Sequence, residues 1–339
     1  AANWLHGGVR DPAWVIDHID QDVPMLIEQI RTRVLPKRGI VAAPDEILIT
    51  LGSQNALYLL TRLLLSSTTR IGVENPCFRE AINTFLLADA EVVPHPVDEE
   101  GIVLNERPCD YYYVTPGHQV PTGVTMSSAR RRQLLEHAAR HDAVIIEDDY
   151  DSESNFTLNP LPALKASDRS GRVVYVSSLS KALSPGLRLG FMVADPDLID
   201  EARALRRLVY RHPPTNIQYQ MAHFLAQGHY ETHLRRYHYD SAQRWERLHA
   251  ALQRYLPSCR ALAGSEHANA FWLQTPAQIN TQQLTWRAAH AGVLIEPGAR
   301  HFLSAAPPDN YFRMGFHAIN PDAIAQGVEV LRGQLEQMG

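Results

Sequence analysis

The chain has 339 residues, 45% of them hydrophobic and 20% charged, and a formal net charge of −5 at pH 7. This length allows a large core, and the composition is ordinary for a soluble globular protein. The acidic balance argues against a nucleic-acid-binding surface as the main feature, and no apolar run reaches membrane-spanning length.

The cysteines and the first residues favour a cytoplasmic protein. Cys77, Cys109 and Cys259 are scattered and odd in number, which fits a reducing compartment and predicts no disulfide framework. No basic segment followed by an apolar one opens the chain, so we expect no secretory signal. The missing initiator methionine would fit a piece of a longer protein. We expect no metal site, and interpret as polar surface positions the loosely clustered His223, His229, His233 and His238.

Short apolar runs alternate with segments of helical spacing between residues 47 and 193. This alternation predicts an α/β fold with a mostly parallel sheet that helices cover on both faces. We expect strands at 47–49, 71–74, 92–93, 111–114, 144–146, 173–176 and 189–193. We expect helices at 25–34, 55–65, 79–88, 127–141, 198–208 and 218–256, the last one long and rich in arginine.

The pattern changes after residue 196 and indicates a second, smaller lobe. Short strands near 270–273 and 311–316, with a final helix from Pro321, predict an α+β arrangement for it. The three units that we expect are an N-terminal segment packing on the body at 1–35, a large domain at 36–215 and a small C-terminal domain at 216–339.

A strand, a Gly-Ser turn and the start of a helix follow one another early in the predicted sheet. Gly52, Ser53 and Gln54 form the turn, where free backbone amides and the positive end of the helix dipole favour an anion. Many turns of this kind bind nothing, so this motif needs support from the rest of the chain.

Lysine is rare in this chain, because only three of the 32 basic residues are lysines. Lys37 lies in a polar linker and Lys165 in a polar, proline-rich stretch. Lys181 alone lies between two buried strands, where desolvation lowers the pKa of an amine and makes it nucleophilic toward a carbonyl. The alternative is a surface lysine after a strand.

Four chemically different groups follow the predicted strands. They are the turn at 52–54, the aromatic Phe78, the acidic run 147–151 with Tyr150, and Lys181 flanked by Ser178, Ser180 and Arg188. A phosphorylated pyridine aldehyde needs this set. Its phosphate needs amides, hydroxyls and an arginine, its ring needs an aromatic and a carboxylate, and its aldehyde needs a lysine. No one group is specific, but their joint occurrence in this order is.

With these motifs the chain resembles the class I/II aminotransferases, which are fold type I pyridoxal-phosphate enzymes. Within that family it is most similar to the aminotransferase-like domain of MocR/GabR-type transcription regulators. The resemblance covers nearly the whole chain and rests on residues 44–54, 115–127, 147–153 and 178–181. It implies a mostly parallel, seven-stranded type of sheet in a large domain, a smaller α+β C-terminal domain, and pyridoxal 5'-phosphate as the cofactor.

The resemblance also implies roles around the reacting amine. Lys181 resembles the Schiff-base lysine and proton shuttle, and Tyr150 the donor to the phenolic oxygen of the cofactor. Asp148 resembles the partner of the pyridine nitrogen, although the acidic run leaves Glu147 and Asp149 open as rivals. Phe78 matches the ring-stacking aromatic, and the residues that match the phosphate cradle are Ser53, Gln54, Ser178 and Arg188.

Two arginines match substrate-binding positions of the family. Arg313 resembles the arginine that grips the α-carboxylate of an amino acid in a bidentate fork. Arg300 lies near the place where GabR-like domains have a carboxylate-reading arginine. For each of them a structural role stays open, such as a strand arginine paired with a surface acid.

The chain departs from the aminotransferases at one motif. They usually carry Asn-Pro-x-Gly where this chain has Val120-Pro121-Thr122-Gly123. The bond from that asparagine to the phenolic oxygen is therefore lost, or taken over by His118 or Gln119. MocR-like domains share this departure.

Two functions fit such a site. An aminotransferase would use Lys181 as leaving amine and general acid/base to move an amino group from an α-amino acid to a 2-oxo acid. A sensor would bind the cofactor and an amine effector and change the DNA-binding state of a fused helix-turn-helix module. This chain contains no such basic module, so we expect DNA as a partner only through a separate N-terminal domain. We favour catalytic competence, and the resemblance further implies a homodimer.

Overall fold

In a computed structural model of the chain, residues 21–105, 107–154, 160–261 and 269–338 are described. The centre of the structure is an eight-stranded sheet. Its strands are β1 (Ile47–Thr50), β2 (Arg70–Asn75), β3 (Glu91–Asp98), β4 (Gly101–Ile102), β5 (Tyr111–Val114), β6 (Val144–Asp149), β7 (Val173–Ser178) and β8 (Gly190–Val193). Their order across the sheet is β1-β8-β7-β6-β5-β2-β3-β4.

The sheet is mixed but mostly parallel. Strands β2, β3, β5, β6 and β7 run parallel to their neighbours in this set. Strand β8 is antiparallel to both β1 and β7, and the short β4 forms a hairpin with β3. The predicted α/β class and mostly parallel sheet are confirmed, with β4 added at the edge.

The described helices are α1 (Pro24–Gln29), α2 (Ser53–Leu64), α3 (Arg79–Leu86), α4 (Ser128–His141), α5 (Pro196–Tyr210), α6 (Thr215–Ala226), α7 (His229–Tyr255), α8 (Thr281–His290) and α9 (Ile324–Glu336). A π-helical turn at Ile30–Val34 continues α1. Short 3₁₀ segments lie at Leu35–Arg38, Pro44–Glu46, Ser152–Ser154, Lys165–Ser167, Pro185–Leu187, Gly298–His301 and Pro321–Ala323. Among the described residues, no helix combines the length and apolar character needed to cross a bilayer.

Both faces of the main sheet are covered by apolar side chains. Successive residues of a strand point to opposite faces, so Ile47 and Ile49 pack with α1 and α6 in one core, while Leu48 packs with α2, α3 and α5 in another. All four residues of β1 are buried as a result. A strand covered on both sides reads in the sequence as a continuous apolar run.

The prediction of one helix over 218–256 is wrong. Helix α6 ends at Ala226, Gly228 has a φ of +72°, and α7 begins at His229. A residue in the left-handed region ends a helix, and glycine adopts that conformation without the strain that a Cβ would cause.

A second, antiparallel sheet follows α7 in the chain. It consists of β9 (Arg260–Ala261), β10 (Ala270–Gln274), β11 (Glu296–Pro297) and β12 (Tyr311–Gly315), in the order β11-β12-β10-β9. Phe271 and Phe312 of this sheet pack against Leu248 of α7 and Leu331 of α9 in a separate core. Residues 1–20 of the predicted N-terminal segment lie outside the described residues, and the three-part division of the chain stays a prediction.

A buried ion pair ties the segment before β1 to the end of β6. Arg38 Nε donates to Asp149 Oδ2 at 2.7 Å, and Tyr175 on β7 donates its hydroxyl to the same oxygen at 2.7 Å. The Arg38 and Asp149 side chains are only 8% and 1% exposed. Breaking such a pair is costly, because the remaining charge stays buried without a partner.

We expect the substitution Arg38→Met to lower the free energy of unfolding by about 3–5 kcal/mol, because Asp149 keeps its buried carboxylate and loses its cation. Chemical denaturation followed by circular dichroism measures this. The matched control is Arg31→Met, which removes an exposed pair with Glu28 at 3.0 Å and should cost less than about 1 kcal/mol. Equal effects of the two substitutions would contradict the interpretation.

Candidate active site

A cavity of about 470 Å³ opens at the carboxyl ends of the parallel strands, where α/β sheets commonly bind ligands. Residues of the small sheet form its opposite wall. All the predicted site residues except His118 line this cavity. They are Gly52, Ser53, Gln54, Phe78, Asp148, Tyr150, Ser178, Ser180, Lys181, Arg188, Arg300 and Arg313.

Two members of the acidic run on β6 point away from the cavity and have structural partners. Glu147 accepts hydrogen bonds from the backbone amides of Leu164 at 2.7 Å and Lys165 at 2.8 Å, one on each oxygen. Asp149 accepts from Arg38 in the buried pair described above. Neither carboxylate lines the cavity, so only the acidic residue between them can contact a ligand there.

Asp148 is that residue, and it points into the cavity. Its Oδ2 accepts a hydrogen bond from the hydroxyl of Tyr113 at 2.8 Å, while its buried Oδ1 has no hydrogen-bond partner among the described residues. Burial raises the pKa of Asp148 to about 7, and the neighbouring Asp149 and Asp151 act in the same direction. A cationic N–H beside Oδ1 would satisfy this oxygen and favour the ionised form.

Lys181 lies in the turn after β7, with its Nζ 3.9 Å from the centre of the Tyr150 ring. Burial lowers the pKa of Lys181 to about 8, and the guanidinium of Arg313 acts in the same direction. The Asp151 and Asp148 carboxylates oppose this shift. The Lys181 amine is therefore neutral in a larger fraction of molecules near neutral pH than an ordinary lysine amine.

The turn that carries Lys181 is fixed to β8 by Ser180. The Ser180 hydroxyl donates to the Leu189 carbonyl at 2.9 Å and accepts from the Leu189 amide at 2.8 Å. Ser178 accepts from the Ser180 amide at 3.2 Å. These bonds explain why hydroxyl residues flank the lysine, since they hold the turn in place as well as line the cavity.

The predicted anion site lies at the start of α2. Gly52 has a φ of +82° and no side chain caps the helix, so its first amides are available to a ligand. Arg188 Nη2 donates to the Leu51 carbonyl at 3.2 Å. A Cβ at position 52 would lie 3.1 Å from that same nitrogen, so a side chain here would crowd the arginine.

His118 does not line the cavity. Its ring is buried, with Nδ1 3.1 Å from Asp151 Oδ2. Gln119 is also occupied, because its amide nitrogen donates to the Pro76 carbonyl at 2.7 Å. Val120 lines the cavity instead, so an apolar side chain stands at the wall where the aminotransferase motif has its asparagine.

The two cavity arginines contact acidic residues. Arg313 on β12 donates from Nη1 to Glu296 Oε2 at 3.3 Å, and its Nε and Nη2 have no bond to a described residue. Arg300 donates from Nη2 to Glu80 at 3.2 Å, and its Nη1 lies 3.5 Å from Glu296. Arg313 thus keeps one edge of its guanidinium for a ligand.

Sequence reasoning missed Tyr113 and Glu296, which both line the cavity. The signal for Tyr113 was a hydroxyl-bearing residue near the carboxyl end of a predicted strand, two residues before the 115–127 motif. Glu296 gave no comparable signal. Its importance comes from the pairing of β11 with β12, which places it directly opposite Arg313.

This chain belongs to the aminotransferase class I and II family, whose sequence model matches residues 20–331. It is 39% identical over 316 residues to the HTH-type transcriptional regulator TauR of Rhodobacter capsulatus, covering 92% of this chain and 65% of that protein. It is 33% identical over 335 residues to a probable rhizopine catabolism regulatory protein, MocR of Rhizobium meliloti, covering 98% and 66%. The chain therefore spans just under two thirds of the length of these relatives.

The fold is that of solved aminotransferases. A kynurenine aminotransferase of Pyrococcus horikoshii, solved in complex with PMP, matches with a TM-score of 0.90 and 26% identity, covering 99% of this chain and 86% of that one. These findings confirm the resemblance to the aminotransferase family and to the MocR-type regulators. They also confirm the fold type I architecture.

The low pKa of Lys181 predicts its reactivity. Because only the neutral amine acylates, labelling of Lys181 by acetic anhydride in cofactor-free protein should rise with pH through a midpoint of about 8. Peptide mass spectrometry over a pH series measures this, with Lys37 and Lys165 as internal references. Asp151→Asn should move the midpoint lower, since the carboxylate stabilises the ammonium. A midpoint near the ordinary 10.5 would show that the amine is not desolvated.

Proposed function

We propose that this chain binds pyridoxal 5'-phosphate and acts on the amino group of an α-amino acid or amine. The observation that carries the proposal is the buried Oδ1 of Asp148, which lacks a partner among the described residues and belongs to a side chain that lines the same cavity as Lys181. A protonated pyridine nitrogen would supply both the N–H and the positive charge that this carboxylate needs. Membership of the family and the PMP in the structural neighbour support this reading.

Different residues of the cavity would contact different parts of the cofactor. The amides at the start of α2, with Ser53, Ser178 and Arg188, would hold the phosphate, because free amides, hydroxyls and a guanidinium all favour a dianion. The Phe78 ring would pack against the pyridine ring. When bound, the cofactor supplies an aldehyde and a ring that acts as an electron sink.

Three further residues act on the substrate and its protons. Lys181, with its pKa of about 8, can accept a proton from the substrate near neutral pH and return it. Tyr150, whose pKa burial raises well above its usual value, stays protonated and can donate to an oxygen. The open Nε–Nη2 edge of Arg313 can bind the ligand carboxylate through two parallel hydrogen bonds.

We propose that the full-length protein uses this site to sense its ligand and thereby regulate transcription. The similarity to two regulators over more than nine tenths of this chain supports this role. Val120 supports it too, because an apolar side chain at the cavity wall offers no hydrogen bond to the cofactor. A ligand acts as an effector when it stabilises one conformation of the domain over another.

The second candidate is transamination. It is favoured by the presence in one cavity of Lys181, Asp148 and Arg313, which is the set that moving an amino group from an amino acid requires. Both candidates share the cofactor and the ligand class. They differ in whether the amino group leaves the site on a 2-oxo acid.

We also propose that the protein is a homodimer. Exposed apolar side chains at the end of α5 support this, since Leu208 is 84% and Val209 50% exposed. A contiguous apolar patch on a surface is typical of a contact with another protein. Sedimentation of the wild type and of a Leu208→Asp variant would test whether this face is involved.

We expect borohydride treatment of the protein with pyridoxal phosphate to fix the cofactor on the peptide that contains Lys181. Asp148→Asn should weaken cofactor binding roughly 10- to 150-fold, the effect of losing a charge-assisted hydrogen bond. The control is Asp89→Asn, at an exposed residue whose φ of 55° asparagine tolerates. A label elsewhere than Lys181, or equal effects of the two variants, would refute the proposed site.

Turnover separates the two roles. If the protein is a sensor, we expect amino acids to change the visible spectrum of the cofactor-loaded protein. We then expect no repeated release of a 2-oxo acid product, even with many equivalents of amino acid per protein. Turnover is measured by chromatography of the 2-oxo acid product after a different 2-oxo acid has been added as the acceptor of the amino group. Sustained product formation that Lys181→Ala abolishes and Lys37→Ala leaves unchanged would establish transamination instead.

A further inference from the structure

The two arginines of the cavity are not equivalent receptors for an anion. Arg313 gives only Nη1 to Glu296 and keeps the Nε–Nη2 edge open. Both terminal nitrogens of Arg300 already contact carboxylates, Nη2 that of Glu80 and Nη1 that of Glu296. A guanidinium binds a carboxylate best through two parallel N–H groups, so Arg313 is built for a ligand anion and Arg300 holds two protein carboxylates.

Glu296 is fixed in place by the small sheet. It lies directly opposite Arg313 in the pairing of β11 with β12, and its Oε1 is 3.4 Å from Nε2 of the buried His301. His301 and the two arginines lower the pKa of Glu296 to about 2. The carboxylate is therefore ionised at neutral pH.

Glu80 brings a second anion to the same wall from the main sheet. It lies in the first turn of α3, two residues after Phe78. Its contact with Arg300 therefore joins the two halves of the cavity. The Glu80 and Glu296 side chains are 40% and 32% exposed, so both carboxylates keep oxygen lone pairs accessible to a ligand.

The balance of charge on this wall changes when a ligand binds. A ligand carboxylate on Arg313 neutralises that cation, and the wall is then left with Arg300 against the carboxylates of Glu80 and Glu296. A second carboxylate on the ligand would have to displace one of these from Arg300 and leave it without its cation. A ligand cation would instead find a carboxylate already in place.

We propose that the ligand is an α-amino acid with a second, cationic group at the end of its side chain, and that Glu80 and Glu296 bind that group. This inference rests on the proposed function and names its ligand class. It assigns Arg313 to the single carboxylate of the ligand and gives Arg300 a positioning role, in contrast to the carboxylate-reading role that the family resemblance implied.

The test compares amino acids with equal numbers of carbon atoms whose side chains end in an ammonium, a methyl or a carboxylate group. The six-carbon set is L-lysine, L-norleucine and L-2-aminoadipate, and the five-carbon set is L-ornithine, L-norvaline and L-glutamate. Dissociation constants come from absorbance titrations of the cofactor-loaded protein, with thermal shifts as a second readout. In at least one set, the cationic ligand should bind about fivefold more tightly than the neutral one, the effect of a partly exposed ion pair, and the acidic ligand most weakly.

Two variants identify the residues responsible. Glu80→Gln should weaken binding of the cationic ligand and so reduce its preference over the neutral one. Glu296→Gln should reduce the same preference and also alter the affinity for the neutral ligand, because Glu296 holds Arg313. The control Glu246→Gln, at an exposed position of α7, should change neither.

The outcomes separate this inference from the proposed function. Equal binding of all three charge types, or tightest binding of the acidic ligand, overturns the inference and leaves the proposed function standing. A preference that persists in Glu80→Gln and Glu296→Gln overturns the assignment of these residues. Failure of all six ligands to change the spectrum or the melting temperature also overturns the inference. Failure of the protein to bind pyridoxal phosphate overturns the proposed function, and the inference with it.

Discussion

The alternation of side chains along β6 is the constraint on which the site depends. Three consecutive acidic residues end this strand, and period-two geometry sends them to different environments. Glu147 and Asp149 enter the interior, where backbone amides and Arg38 compensate their charges. Asp148 lines the cavity, and its Oδ1 has no hydrogen-bond partner among the described residues. A shift of register by one residue would turn Asp148 inward and Glu147 and Asp149 toward the cavity. The Arg38–Asp149 pair, which exists only in the observed register, therefore favours the arrangement in which Asp148 lines the cavity.

The turn at 52–54, where the anion site is predicted, depends on a close contact between its backbone and that of β8. A Cβ at Gly190 of β8 would lie 2.8 Å from Gly52 Cα and 2.7 Å from the Ser177 carbonyl oxygen, so any side chain there would force the strands apart. This approach brings Arg188 to the start of α2. Arg188 itself has a φ of 49°, a conformation that is unfavourable for a residue with a Cβ and persists where the surroundings hold it.

The sequence was informative where a local pattern determines the structure. A helix was predicted from Ser127, and the Ser127 hydroxyl accepts a hydrogen bond from the Arg130 amide at 3.1 Å, a capping contact between residues only three positions apart. Contacts between distant segments left no such pattern. Nothing local shows that His118 faces Asp151 or that Glu296 faces Arg313. Gly228 was visible, but helical spacing on both sides concealed that its backbone ends one helix.

The site is complete only when the main and small sheets are together, and specific hydrogen bonds hold them so. The Cys77 amide donates to the His301 carbonyl at 2.9 Å, and His301 Nδ1 donates to the Cys77 carbonyl at 2.9 Å. The Leu303 amide donates to the side chain of Asn75 at 2.9 Å. The segment that carries Phe78 is thereby fixed to the loop after β11. Both proposed roles would depend on this joined arrangement, because each would need the ligand carboxylate and the cofactor ring held together. The two roles would place opposite demands on how long the ligand stays bound, since turnover needs release of product and a sensor needs a bound state that lasts.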